Sequence, residues 1–157
     1  LVEQIDMNQM SYNDWIHYWK KTFDVNLMGP ANLTFLCANK MKMNCGGKFI
    51  NISSRGAFRG EPKAPAYGSS KSGLNSFGQS MALALAKDNI FLYTIAPGFV
   101  ETNRVKDIIN DEIRAQSPLN RVAKPEEVAQ TALWLASSGN DFLTGSIIDV
   151  NGASCFR

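Results

Sequence analysis

The chain has 157 residues, 45% of them hydrophobic and 19% charged, the balance of an ordinary globular protein, which excludes disorder, collagen and coiled coil. Sixteen Lys and Arg against fourteen Asp and Glu leave a net charge of +2. There is no run of like charge, so neither nucleic acid nor a membrane is an expected partner. The length predicts one domain. No apolar run reaches the roughly 20 residues of a membrane span, and Leu1 to Asp6 lack the basic head of a signal peptide. A cytoplasmic location is the expectation, with an organelle left open because the chain opens on Leu1 rather than methionine. The cysteines, Cys37, Cys45 and Cys155, are odd in number and form no CxxC pair, which argues against a disulfide framework or a zinc site. They are expected to be reduced, with Cys37 packed in the interior.

Ser11 to Asp14 offer capping oxygens before Trp15, Ile16, Trp19, Phe23 and Leu27, whose spacing of three and four predicts an amphipathic helix. The pattern runs on through Leu33, Leu36, Cys37 and Met41 to Gly46-Gly47, with a kink or break expected at Gly29-Pro30. Lys48 to Ser53 read as a short buried strand. Gly56, Gly60, Pro62 and Pro65 make residues 54–65 a loop. Small residues and the ladder Leu74, Phe77, Met81, Leu85 predict a second long helix over 66–87. The continuous apolar run Ile90 to Ala96, ended by Pro97-Gly98, reads as a strand buried on both faces. The polar segment 101–116 allows a short helix around Val105 to Ile113. Pro125, Glu126 and Glu127 open a third long helix to about Leu135, and Ser146 to Val150 close the chain with a strand. Helix, strand, helix, strand, helix, strand is the order of an α/β fold with a parallel sheet and right-handed crossovers. Three strands are few for such a sheet, and the strand at 48–53 is expected to need a further partner.

The sharpest chemical signal is Tyr67-Gly68-Ser69-Ser70-Lys71 at the start of the second long helix. Four residues is about one turn, so phenol and ammonium project from one face. A cation there is expected to pull the tyrosine pKa down from about 10 and make it a proton donor and acceptor. Taken alone, the pair also describes a surface tyrosine beside a solvated lysine. Ser54 lies thirteen residues earlier, at the carboxyl end of a strand, where open α/β sheets bind ligands. Its plain reading is a turn residue. Asn26, beside Gly29-Pro30, is otherwise an unremarked polar residue within a helix.

Asp24-Val25-Asn26-Leu27, Gly47 to Ser54, Tyr67-x-x-x-Lys71 and Ala96-Pro97-Gly98-Phe99-Val100-Glu101-Thr102 resemble, in order and spacing, the successive signatures of the short-chain dehydrogenases/reductases. Ser117 to Arg121, Lys124 to Ala129, Leu143-Thr144-Gly145 and Asp149-Val150-Asn151-Gly152 resemble the closing part of the branch that includes 3-oxoacyl-[acyl-carrier-protein] reductases. The likeness covers essentially the whole chain. It implies a Rossmann-like, doubly wound parallel sheet and an enzyme that interconverts ketone and secondary alcohol by hydride transfer with NAD or NADP, NADPH being somewhat preferred, with a 3-oxoacyl thioester as the favoured substrate. Tyr67 would donate or accept the proton, Lys71 would hold the nicotinamide ribose, Ser54 would hydrogen-bond the substrate oxygen, and Asn26 would position a water that links Lys71 to solvent. Pro97, Gly98, Val100 and Thr102 would contact the nicotinamide end alongside Tyr67 and Lys71, and residues 103–117 would form a substrate lid. The partners implied are a small carbonyl or alcohol substrate and further copies of the chain, as a dimer or tetramer. No metal site is implied.

The sequence departs from the family pattern at Tyr93, where relatives have asparagine, and at Ala153, where they have a second glycine. It also holds no TGxxxGxG turn and no Asn-Asn-Ala-Gly segment. The chain therefore reads as the catalytic carboxyl-terminal part, residues 1–157, of one domain whose glycine-rich first half is absent. The alternative is a non-catalytic remnant that acts by pairing through its sheet edge. His17 and the aromatic residues Trp15, Trp19, Phe23 and Phe35 read as surface, core or subunit contacts. Arg55 and Arg59 read as solvated loop charges, with a contact to an acidic substrate or carrier as the alternative.

Overall fold

The computed structural model describes residues 1–103 and 105–157. Helix α1, Tyr12–Phe23, opens on a capping box: Ser11 Oγ accepts from the Asp14 N–H at 3.1 Å, and the Asp14 carboxylate accepts from the Ser11 N–H at 3.3 Å. Trp15, Trp19 and Phe23 stack along one face, with ring centroids 5.4 and 5.6 Å apart. The break expected at Gly29-Pro30 is a π-turn over Asp24–Met28 that runs straight into α2, Gly29–Lys42. The Gly29 N–H reaches back five residues to the Asp24 carbonyl. Pro30 has no N–H, so the bond that position 30 would donate to the Asn26 carbonyl cannot form. The helix widens there rather than stopping.

Strands β1, Gly47–Ile52, β2, Ile90–Pro97, and β3, Ile147–Val150, form a parallel sheet in the order β1-β2-β3. Gly47 pairs with Ile90 and Ile52 with Ile95, while Thr94 pairs with Ile147 and Pro97 with Val150. Helix α3, Pro65–Leu85, joins β1 to β2, and α5, Pro125–Ala136, precedes β3. Both faces of β2 are covered. Ile90 and Leu92 pack with Ala38 of α2 and Ala82 and Leu85 of α3, while Tyr93 and Ile95 pack with Leu135 of α5. This is the doubly covered sheet expected of an α/β fold.

Three expectations need correction. Strand β1 lies at the sheet edge and is only half-buried, with Ile52 46% exposed, because β2 is its sole partner in the sheet. Cys37 is exposed and does not pack inside. Thr34 and Ala38 are the buried positions of α2, so the stripe of Leu33, Leu36 and Cys37 faces outward. The short helix at 105–113 is two pieces, a 3-10 turn over Lys106–Ile108 and α4, Asp111–Arg114, capped by the Asn110 side chain. Arg104, within the segment read as a lid, lies outside the described residues. None of the helices among the described residues is long and apolar enough to cross a membrane.

Candidate active site

The site begins where β1 ends. Ser54 is fully extended, at φ −165° and ψ 154°, and its Oγ accepts the Gly56 N–H at 3.0 Å, which fixes the start of the 3-10 turn Arg55–Ala57. That turn lies against the first turn of α3. A Cβ on Gly68 would come within 3.0 Å of the Gly56 carbonyl, and Ser72 Oγ donates to the Ala57 carbonyl at 2.5 Å. The close approach sets the Ser54 hydroxyl near enough to the Tyr67 phenol to lower the phenol's pKa.

Helix α3 is held from outside itself. Its N-cap residue, Ala64, has no side-chain acceptor. Tyr18 of α1 supplies one: its buried phenolic oxygen accepts the Ala66 N–H at 3.2 Å. Asn26, on the π-turn, donates from Nδ2 to Ser70 Oγ at 3.0 Å, and Ser70 Oγ donates to the Tyr67 carbonyl at 2.8 Å. Asn26 Nδ2 also donates to the Leu1 carbonyl, and its Oδ1 accepts from the Leu1 backbone nitrogen. Tyr18 and Ser70 thus position Tyr67, and sequence reasoning passed over both. Their signal in the sequence is slight, because each partner is far away along the chain.

Lys71 follows Tyr67 by one turn, and its Nζ donates to the Ile52 carbonyl at 2.7 Å. Burial lowers its pKa. Burial also raises the Tyr67 pKa, while the neighbouring Ser54 hydroxyl lowers it and the charge of Glu61 raises it further. The expected downward pull of Lys71 on Tyr67 is therefore corrected: in this arrangement the cost of ionising a buried phenol prevails.

Of the nicotinamide-end residues, Pro97 ends β2 and is buried, and the Gly98 N–H donates to the Val150 carbonyl at 3.0 Å. A Cβ on Gly98 would lie 3.1 Å from Asn151 Cα, so glycine lets this loop close against the end of β3. Val100 bridges Ala123 through the Ala123 N–H to the Phe99 carbonyl, 2.9 Å, and the Glu101 N–H to the Ala123 carbonyl, 2.8 Å. That bridge does not use the Val100 N–H. Thr102 is exposed, and its carbonyl accepts from Val105 and Lys106. Lys71, with one of three donors engaged, and the open Val100 N–H fit the ribose and carboxamide of a nicotinamide nucleotide. For its pyrophosphate, the sequence offers no glycine-rich turn. Arg55, read above as a solvated charge, is instead buried, at 4% exposure.

A parallel α/β sheet with a hydroxyl, a phenol and an ammonium gathered at a strand end has the form of a nucleotide-dependent oxidoreductase. The pattern of the family described as enoyl-(acyl carrier protein) reductase matches residues 7–153. The 3-oxoacyl-[acyl-carrier-protein] reductase FabG of Aquifex aeolicus is 36% identical over 137 residues, 85% of this chain and 55% of that protein. Carbonyl reductase family member 4 of Xenopus laevis is 36% identical over 128 residues, 82% of this chain and 53% of that protein. Among solved structures, 4-hydroxyisoleucine dehydrogenase complexed with NADH superposes with a TM-score of 0.82 at 27% identity, over 97% of this chain and 64% of that one. The chain belongs to the short-chain dehydrogenase/reductase family, whose members are NAD(P)-dependent oxidoreductases. It spans about half the length of the curated relatives it matches.

Proposed function

We propose that residues 1–157 carry the proton-transfer and nicotinamide-end machinery of an oxidoreductase that interconverts a ketone and a secondary alcohol with NAD(H) or NADP(H). The observation that carries this reading is the juxtaposition of the Ser54 hydroxyl at the end of β1 with the Tyr67 phenol in the first turn of α3, and Lys71 one helical turn further on. The bound nicotinamide would supply or accept the hydride. Ser54 donates a hydrogen bond to the substrate oxygen and holds it against Tyr67. In reduction the phenol gives its proton to the oxygen as negative charge builds there, and in oxidation the phenolate takes a proton from the alcohol. Lys71 binds the ribose hydroxyls and stabilises the phenolate formed in turnover. The Asn26 carbonyl, which the proline at position 30 denies an i+4 donor, would hold the water through which Lys71 exchanges protons with solvent.

Pro97, Gly98, Val100 and Thr102 line the nicotinamide end in this proposal, and the pyrophosphate grip lies outside these 157 residues. The names of the curated relatives favour a 3-oxoacyl thioester as substrate. A homo-oligomer is part of the proposal, and the exposed apolar residues Ile16, Val25, Leu33, Phe35 and Leu36 on the first two helices and the π-turn between them suit it. The test is Lys71→Met in the intact protein, with NADH and NADPH titrated by fluorescence. Losing the ribose contact is expected to weaken whichever cofactor binds by at least about tenfold, as for charge-assisted hydrogen bonds of about 1.5–3 kcal/mol. An unchanged dissociation constant would overturn the assignment of Lys71.

A further inference from the structure

Arg55 follows Ser54 directly, and because Ser54 is extended the two side chains leave the strand end in opposite directions. Ser54 turns to Tyr67. Arg55 turns into a cavity of about 150 Å³ at the carboxyl ends of β1, β2 and β3, walled by Phe99, Gln116, Ser117, Val150 and Asn151. That is the end of the sheet at which open α/β folds bind ligands.

Arg55 is 4% exposed, its guanidinium lies 5.1 Å over the Phe99 ring, and it makes one side-chain hydrogen bond, to the amide oxygen of Gln116. No carboxylate pairs with it among the described residues. The other charges lining the cavity are already matched. Arg121 makes a two-pronged pair with Glu127, at 2.7 and 2.8 Å, and Asp149 pairs with Arg157 at 2.9 Å. The hydroxyls are also spent: Ser117 Oγ donates to the Gly152 carbonyl and Ser154 Oγ to that of Asn151. One buried cation with most of its five donors unspent therefore faces a cavity that is otherwise electrically balanced. Burial first, and then the charge of Arg59, push the Arg55 pKa down, and Glu61 and Cys155 offset this only in part. A buried guanidinium with only a neutral partner is costly unless something anionic completes it.

We propose that this cavity is an anion-binding site in which Arg55 receives the carboxylate of a small organic acid. The planar fork of a guanidinium matches a carboxylate in two parallel hydrogen bonds. A cavity of this volume takes a ligand of about six heavy atoms, since one of the same size in another protein holds benzene. The carboxylate would compete with Gln116 for Arg55, which links occupancy to the packing of the segment that carries α4. The proposal stands apart from the roles given to Tyr67 and Lys71.

The experiment measures the Tm of the intact protein against acetate and inorganic phosphate, with chloride at matched ionic strength as the control. Acetate at tenfold its Kd is expected to raise Tm by about 3–5 °C. The rise should vanish in Arg55→Gln and persist in Arg59→Gln, since Arg59 is an exposed loop residue paired with Glu61. Gln116→Glu, which supplies a carboxylate from the chain itself, should raise Tm without ligand and remove the response to acetate, so the test does not depend on Arg55→Gln folding. No acetate effect in the parent, an equal effect in all variants, or an effect of phosphate alone would overturn the proposal.

Discussion

Replacing Tyr67 by phenylalanine removes one oxygen from a site whose other parts are held independently. Tyr18 caps α3, Ser70 ties its first turn to Asn26, and Gly68 keeps the 55–57 turn close, and none of these contacts involves the phenol. The structural loss is at most that of one hydrogen bond, about 1 kcal/mol, for the phenol's approach to the Ser54 hydroxyl. For a chain of this size that lowers Tm by about 2–4 °C. The catalytic loss is of another order. Without a positioned acid the forming alkoxide has no proton source, and general acid catalysis contributes about 10²–10⁴ in rate, or about 3–5 kcal/mol of barrier. The assay is oxidation of NADH or NADPH by the intact protein with a 3-oxoacyl thioester or a simple ketone, followed at 340 nm, beside a thermal melt. A variant that folds within a few degrees of the parent and has lost at least a hundredfold in kcat fits the assignment. Turnover within a few fold of the parent would refute it, and a collapse of both readouts would show that the phenol supports the fold far more than one bond allows.

Two further substitutions test the fold around the site. Ala153 sits at φ +58°, a left-handed conformation that costs an ordinary residue about 1–2 kcal/mol, so Ala153→Gly, less the roughly 0.5–1 kcal/mol of added chain entropy, should stabilise by about 0.5–1 kcal/mol. A urea melt that shows no gain would mean the turn after β3 relaxes that strain in solution. The Arg121 guanidinium holds the Glu127 carboxyl down at about 2, below its ordinary 4.5, so the stability it contributes is present above pH 4.5 and is lost as pH falls from there toward 2. Glu127→Gln should flatten the dependence of Tm on pH within that window, and superimposable curves for parent and variant would remove the pair from the account of acid unfolding.

The alternation of helices and strands was legible because each element announces itself locally. The capping box at Ser11, the apolar run of β2 and Pro125 with two glutamates each act within a few residues. The placement of Ser54 at a strand end and of Tyr67 and Lys71 one turn apart was legible for the same reason. What escaped depends on contacts across the chain. Tyr18 reaches Ala66 over 48 positions and Asn26 reaches Ser70 over 44, and no spacing rule joins a phenol on one helix to the backbone of another. The register of α2 was misjudged because Leu33, Leu36 and Cys37 carry the stronger apolar signal, while the sheet takes the smaller Thr34 and Ala38, which let the helix lie close. The tyrosine pKa was judged from its charged neighbour alone, and burial outweighed it.

In the proposed function, the groups assigned to proton transfer are placed independently of any nucleotide grip. Ser54, Tyr67, Lys71 and Asn26 are placed by β1, α3, α1 and the π-turn, all within these 157 residues, through bonds that do not pass through a pyrophosphate-binding turn. The bare edge of β1 and the apolar outer stripe of α2 are the surfaces along which such a turn, or a second copy of the chain, would be joined. A parallel strand with one neighbour leaves its outer N–H and C=O groups to water, and covering them with another strand removes that exposure without moving the carbonyl of Ile52 that Lys71 already engages. Completing the sheet would therefore leave in place the geometry proposed for the acid. For that reason substitutions at Tyr67 should act on kcat, and substitutions at Lys71 first on cofactor affinity.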